Sequence, residues 1–236
     1  MKPCVWAIIA TYRRPELLRR ALTALHDQCS ALAGVIVVDN GGTGPLESGD
    51  LELKVVTPPD NLGTAGGIAA GLKAFLAIPE ATHCWIMDDD TVTESNTLNA
   101  MLEAHESSSA VVVTAVLINE HGKVAWYPGP LSQPAWNLVR GGVTPDQFVE
   151  QCGITPLKWT WATWGCMLIA RDAVEAVGYP DAKLWYQGTD IEYALRLSAN
   201  FSCVLAPAAR CHHLMPPATH EQLSNKELWS MQNGAY

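Results

Sequence analysis

Cys84-Trp85-Ile86-Met87-Asp88-Asp89-Asp90 decides the fold: four apolar residues run without a break into three carboxylates. A strand with one wet face alternates apolar and polar residues, whereas an unbroken apolar run belongs to a strand covered on both faces. Ligands of α/β proteins gather outside the carboxyl ends of such strands, so the aspartates stand where a binding site is expected. Three adjacent carboxylates repel one another and favour a cation between them or water around them. Asp88 and Asp90, two residues apart, can face the same way from an extended segment. A hard divalent ion such as Mg²⁺ or Mn²⁺ takes carboxylate oxygens and keeps positions open for substrate phosphates.

Outward from this strand the same grammar repeats. Val5 to Ala10 reads as a first strand, and Pro15 suits the first turn of a helix whose Leu17, Leu18, Ala21, Leu22 and Leu25 recur at 3.6-residue spacing. Val35 to Val38 is a second apolar strand running into Asp39, and Leu53 to Val56 a third, closed by Pro58 and Pro59. A Gly/Ala-rich helix with Ile68, Leu72, Phe75 and Leu76 precedes the aspartate strand. A helix through Leu98, Met101 and Leu102 and a strand from Ala110 to Leu117 follow it. Strands alternating with helices give an α/β sheet with helices on both faces.

After about residue 118 the periodicity weakens, and residues 119–160 read as long loops, a hairpin and a short helix. Thr160 to Ile169 is strand-like, Arg171 to Val177 and Asp190 to Leu197 are helical, and Phe201 to Leu205 is the last clear strand. The expected organisation is one domain in two halves, 1–118 and 119–218, with a tail over 219–236 that turns helical around Leu223 to Met231.

The chain has 236 residues, 48% of them hydrophobic, and a net charge of −9. That balance argues against a nucleic-acid partner, which needs a basic footprint, but not against a nucleotide held by a metal and backbone N–H groups. The seven cysteines are scattered without a CxxC pair, and most lie in apolar stretches. Buried reduced thiols and a cytoplasmic compartment are expected. No run approaches the ~20 apolar residues of a membrane span. Peripheral association with the inner face of a membrane stays open.

Other residues could join the site. Asp39 and Thr11, each at a strand end, would line the same sheet edge as Asp88, and an Asp carboxylate can accept the N3–H of a uracil or thymine. Asp190 sits near a helix N-terminus, where it could reach a ligand or merely cap the helix. Glu192 and Arg196, four apart, suggest a structural ion pair. His212 or His213 could complete a metal site, and spacing does not choose between them. Trp159, Trp161, Trp164 and Trp185 suit core packing or stacking on a sugar face.

Other chemistries fit parts of the pattern. Asp88-Asp89-Asp90-Thr91-Val92 satisfies the DxDx(T/V) signature of haloacid-dehalogenase-like phosphatases, but three strands precede it where that fold opens on it. Gly63, Gly66 and Gly67 are too irregular for a dinucleotide fingerprint.

Five motifs in order resemble the family 2 glycosyltransferases, inverting enzymes of GT-A fold. They are Ala10-Thr11-Tyr12-Arg13-Arg14-Pro15-Glu16-Leu17-Leu18, Val35-Ile36-Val37-Val38-Asp39-Asn40-Gly41, Asp60-Asn61-Leu62-Gly63 with Gly66-Gly67, the aspartate turn, and Gly188-Thr189-Asp190-Ile191-Glu192-Tyr193. The resemblance implies a Rossmann-like, mostly parallel central sheet flanked by helices, with a smaller mixed subregion on the acceptor side. It implies that Thr11 and Asp39 hold a pyrimidine base, that Arg13 lies near the diphosphate, and that Asp88 or Asp89 contacts the ribose. Asn61 groups with these donor-binding residues. Asp90 would bind Mn²⁺ or Mg²⁺ with a histidine, His212 being preferred, and Asp190 would be the catalytic base.

Within the family, the tryptophan-rich run and the segment from Trp185 to Tyr193 are similar to galactofuranosyltransferases and related rhamnosyltransferases. The implied donor is a UDP- or dTDP-sugar, and the implied acceptor a glycan, glycolipid or small molecule. Asn40 stands where an acid is commoner. Relatives often continue past the length of this chain with further helices. A sugar-1-phosphate nucleotidyltransferase would share the carboxylate–metal logic but carry a Gly-rich loop after the first strand, where this chain has Arg13-Arg14-Pro15. A non-catalytic nucleotide-sugar-binding protein would bind the donor without transferring it.

Overall fold

A computed structural model describes residues 2–28, 31–47, 49–125, 128–132, 135–185 and 188–214. The expected tail helix lies outside the described residues. β1 (Val5–Thr11) pairs in parallel with β2 (Leu32–Asp39) on one side and β4 (His83–Asp88) on the other, and β2 carries β3 (Glu52–Val56) at the edge, also parallel. The sheet then turns mixed. β9 (Cys166–Ala170) lies antiparallel between β4 and β6 (Val112–Ile118), and β6 is parallel to β10 (Cys203–His213). β5 (Thr91–Thr93) closes the far end, antiparallel to β10. The short strands β7 (Val124–Ala125) and β8 (Leu157–Lys158) pair with β6 and β10. Strands from both sides of residue 118 thus share one sheet.

Strand geometry explains the two cores. Successive side chains point to opposite faces, so Trp6 and Ile8 enter one layer while Val5, Ala7 and Ile9 enter the other. The second layer is roofed by α1 (Pro15–Leu25) and α3 (Thr97–Ser108), which contribute Leu18, Leu22, Leu25, Leu98 and Met101. The first is roofed by α2 (Gly63–Leu76), α6 (Arg171–Val177) and α7 (Thr189–Asn200). The helices α4 (Ala135–Arg140) and α5 (Pro145–Cys152) add Val139 and Phe148 to it. Burying one such Leu, Val or Phe side chain is worth roughly 1.5–3 kcal/mol, so each layer supplies a large part of the folding free energy. Gly71 lets α2 settle closely on β1: a Cβ there would stand 2.4 Å from Ile8 Cγ2.

Two elements depart from expectation. The segment from Thr160 forms strand only from Cys166, and β10 runs eight residues beyond Leu205 to His213. A register shift between Ala206 and Arg210 accommodates Pro207, whose missing N–H would otherwise interrupt the ladder. The described Cys4, Cys84, Cys152, Cys166, Cys203 and Cys211 are free thiols. Among the described residues, no helix is long and apolar enough to cross a membrane.

Candidate functional site

Strand register assembles the site. Thr11 stands opposite Asp39 at the carboxyl ends of β1 and β2, and Ala10 opposite Asp88 at the end of β4. The aspartate turn then feeds β5, which meets the end of β10 with His213 opposite Thr91 and His212 opposite Val92. The Leu214 N–H donates to the Asp90 carbonyl at 2.7 Å. Two segments more than a hundred residues apart in sequence are therefore locked together at the turn.

The consequence is a three-residue cluster. Asp88, Asp90 and His213 each offer one ligand atom, all within 4.8 Å of one another. His213 Nε2 lies 3.4 Å from Asp90 Oδ1 and 3.8 Å from Asp88 Oδ2. Neighbouring residues of a strand point to opposite faces, so His212 turns away, its Nε2 3.1 Å from Glu94 Oε1. The structure thus brings His213, not the preferred His212, to the aspartates. Two carboxylate oxygens and one imidazole nitrogen form a donor set that suits Mn²⁺ or Mg²⁺, the nitrogen tilting the choice toward Mn²⁺.

Charge crowding shapes the titration of these groups. Burial, reinforced by the neighbouring Asp88 and Asp89 carboxylates, raises Asp90 to about 6, with His213 and Arg14 working against the rise. Burial also raises Asp89, partly offset by Arg14 and Thr11. Burial alone would lower His213, but the hydrogen bond it donates to Asp88 and the charges of Asp90 and Asp88 push it up. Such mutual strain is what a bound dication relieves.

The other expected residues are placed as follows. Thr11 is buried and its hydroxyl donates to Asp89 Oδ2 at 2.7 Å. Arg13 is exposed, its guanidinium 5.0 Å from the centre of the Tyr12 ring. Arg14, singled out by no sequence signal beyond its place beside Arg13, is the arginine that reaches the aspartates. Its Nη1 lies 3.1 Å from Asp89 Oδ1 and 3.2 Å from Asp90 Oδ2.

Asp39 is buried and accepts hydrogen bonds from Gly41 N at 3.1 Å, Thr43 N at 2.6 Å and Thr43 Oγ1 at 2.8 Å. Burial would raise its carboxyl, but the hydrogen bonds from Thr43, Gly41 and Gly42 together hold it below the usual carboxylate range. Asn61 Oδ1 accepts the Gly63 N–H at 2.9 Å and so shapes the turn that opens α2. Asn40 ties the end of β2 to the same turn, donating to Gly63 O at 3.2 Å and accepting from Leu62 N at 3.3 Å. An acid at position 40 could not make the donated bond.

Asp190 lies in the first turn of α7, half-buried, with the Ile191 N–H 2.9 Å from its Oδ1. Burial raises its carboxyl to about 6; the Ile191 N–H opposes the rise and the charge of Asp88 adds to it. Asp190 therefore stands within electrostatic reach of the cluster. Ala65 N donates to Trp185 O at 3.2 Å, which docks the approach to α7 on the start of α2. Trp159 and Trp164 are buried core residues, whereas Trp161 and Trp185 are half-buried. The Glu192–Arg196 pair forms, with Arg196 Nη2 3.0 Å from Glu192 Oε2.

Known proteins resemble this chain in sequence and in fold. The chain is 30% identical over 209 residues to galactofuranosyltransferase GlfT1 of Mycobacterium tuberculosis, an alignment covering 84% of this chain and 65% of that protein. It thus spans about two-thirds of the length of that relative. Among solved structures, the mannosyltransferase PcManGT from Pyrobaculum calidifontis in complex with GDP-Man and Mn²⁺ superposes with a TM-score of 0.65 at 18% identity, over 96% of this chain and 61% of that one. GalNAc-T7 with UDP, GalNAc and Mn²⁺ gives a TM-score of 0.66 at 13% identity, over 90% of this chain and 44% of that one. At such identities these two likenesses speak for the fold, which is GT-A. The profile described as Glycosyl transferase family 2 matches residues 6–178, from β1 to the end of α6, and the chain belongs to that family.

Proposed function

We propose that the protein is a metal-dependent inverting glycosyltransferase that moves a sugar from a UDP- or dTDP-sugar to a hydroxyl of a glycan, glycolipid or small acceptor. Galactofuranose is the favoured sugar, with rhamnose second. The observation that carries the reading is the Asp88–Asp90–His213 cluster at the carboxyl end of the sheet, with Asp190 within electrostatic reach of Asp88. A relative named galactofuranosyltransferase supports the choice of sugar.

In this reading Asp88, Asp90 and His213 hold the divalent ion, which when bound neutralises charge on the departing nucleoside diphosphate. Asp39 faces the base from the neighbouring strand end, and Thr11 steadies Asp89 beneath the donor. Asp190 accepts the proton of the acceptor hydroxyl as that oxygen attacks the anomeric carbon from the side opposite the leaving group. Its raised carboxyl makes it a better base than an exposed aspartate, while at neutral pH most of it remains ionised. The free thiols support a cytoplasmic setting.

The test is a donor panel. UDP-galactofuranose, UDP-galactopyranose, dTDP-rhamnose and GDP-mannose are each assayed with Mn²⁺ or EDTA for nucleoside diphosphate release and transfer to oligosaccharide acceptors. Mn²⁺-dependent release from UDP-galactofuranose, with inversion at the transferred carbon, is the expected outcome. Release of pyrophosphate, or EDTA-resistant turnover, would rule the reading out.

A further inference from the structure

The aspartate turn concentrates negative charge, yet a cation from α1's leading edge is anchored in it. Arg14 Nη1 alone touches two carboxylates, Asp89 Oδ1 at 3.1 Å and Asp90 Oδ2 at 3.2 Å. Thr11 holds the other oxygen of Asp89 from the opposite side at 2.7 Å. Both Asp89 oxygens are thus engaged inside the protein, and the residue is buried. Asp90 is divided differently: Oδ2 faces Arg14 while Oδ1 faces His213 Nε2 at 3.4 Å.

That division matters because a carboxylate turns easily about its last torsion, which has a broad and roughly twofold profile. A partner on one oxygen fixes where the other one points. The backbone shows how Arg14 gets there. Arg13 takes a positive φ of 54°, a left-handed conformation unfavourable for a side chain with a Cβ, and stays outside over Tyr12. Arg14 follows it and turns inward at the start of α1.

We propose that Arg14 is a positioning residue: it ties Asp90 to the fixed Asp89 and keeps Asp90 Oδ1 turned toward Asp88 and His213. The proposal rests on the reading of that cluster as a divalent-cation site. A simpler role, charge balance, predicts the opposite sign. A positive charge beside a cation site repels the cation, so deleting the charge alone tightens metal binding. Deleting a positioning group frees Asp90 and weakens it.

The experiment titrates Mn²⁺ into the protein with saturating UDP and follows free Mn²⁺ by electron paramagnetic resonance, without turnover. Wild type, Arg14→Met, Arg14→Gln and Arg14→Lys are compared, with thermal unfolding as the check on folding. The expected result is a Kd raised about tenfold or more in the neutral variants, the scale on which supporting groups act on metal sites. Arg14→Lys should stay within about threefold of wild type, because one nitrogen suffices to meet both carboxylates. Unchanged or tighter Mn²⁺ binding in either neutral variant overturns the proposal while leaving the metal reading intact. Absence of Mn²⁺ binding in wild type overturns both.

Discussion

At the scale of single residues, the aspartates are distinguished by what surrounds them. Asp190 is raised to about 6 by burial, with the charge of Asp88 adding to the rise. As a base it must be ionised, so kcat/KM should fall with decreasing pH through an inflection near that value. Asp190→Asn should lose roughly 10²–10⁴-fold in turnover, the usual worth of general-base assistance, with UDP affinity nearly unchanged. An unchanged turnover would remove Asp190 from the role. The histidines give a second comparison. His213→Ala should raise the Mn²⁺ Kd by about tenfold or more, at least what a supporting residue costs. His212→Ala removes the contact with Glu94 and should leave that Kd nearly unchanged. Equal losses in both variants would contradict the geometry.

At the scale of elements, the closeness of α2 to β1 yields a prediction whose sign is not obvious. Alanine is the better helix former, by about 0.5–1 kcal/mol over glycine. At Gly71, however, the added methyl meets Ile8 Cγ2 at 2.4 Å, and Ile8 is a fully buried side chain branched at its Cβ. Overpacking costs about 1–3 kcal/mol, so Gly71→Ala should destabilise on balance, seen as a lower urea midpoint at an unchanged slope. The same elements show what the sequence could and could not convey. β1, β2, β4 and α1 were legible because their apolar runs and 3.6-residue spacing are local properties. β5 has three residues, two of them threonines, too few for any periodicity. The extension of β10 was hidden by Pro207, a strand breaker that only the observed register shift makes tolerable. Choosing between His212 and His213, or between Arg13 and Arg14, depends on β5–β10 register and on one positive φ, both tertiary facts.

At the scale of the whole molecule, the site makes metal-free folding depend on pH in an unusual direction. Asp90 and Asp190 stand near 6 in the folded state, against about 3.9 in an unfolded chain. Groups raised by folding bind protons more tightly when folded. Their stabilisation is complete below about pH 3.9 and is lost as pH rises through 6. His213, also raised, acts in the same direction around its own titration. Asp39 is lowered, so it matters only in more acid solution. Between pH 5.5 and 7.5 the loss from Asp90 alone is about 0.8 kcal/mol, because at pH 5.5 part of the titration is already complete. For a chain of this size that corresponds to a Tm lower by roughly 2–3 °C at the higher pH. Differential scanning calorimetry in EDTA should show the fall, and Asp90→Asn should shrink it, leaving the share of Asp190, while raising the Tm at pH 7.5. Mn²⁺ should reverse the trend, because a ligand at about 100 times its Kd stabilises by about 2.7 kcal/mol, and protons compete with it at pH 5.5. A metal-free Tm that instead climbs from pH 5.5 to 7.5 would mean that the carboxylates are not strained against one another. The cluster would then have lost its physical reason to hold a cation.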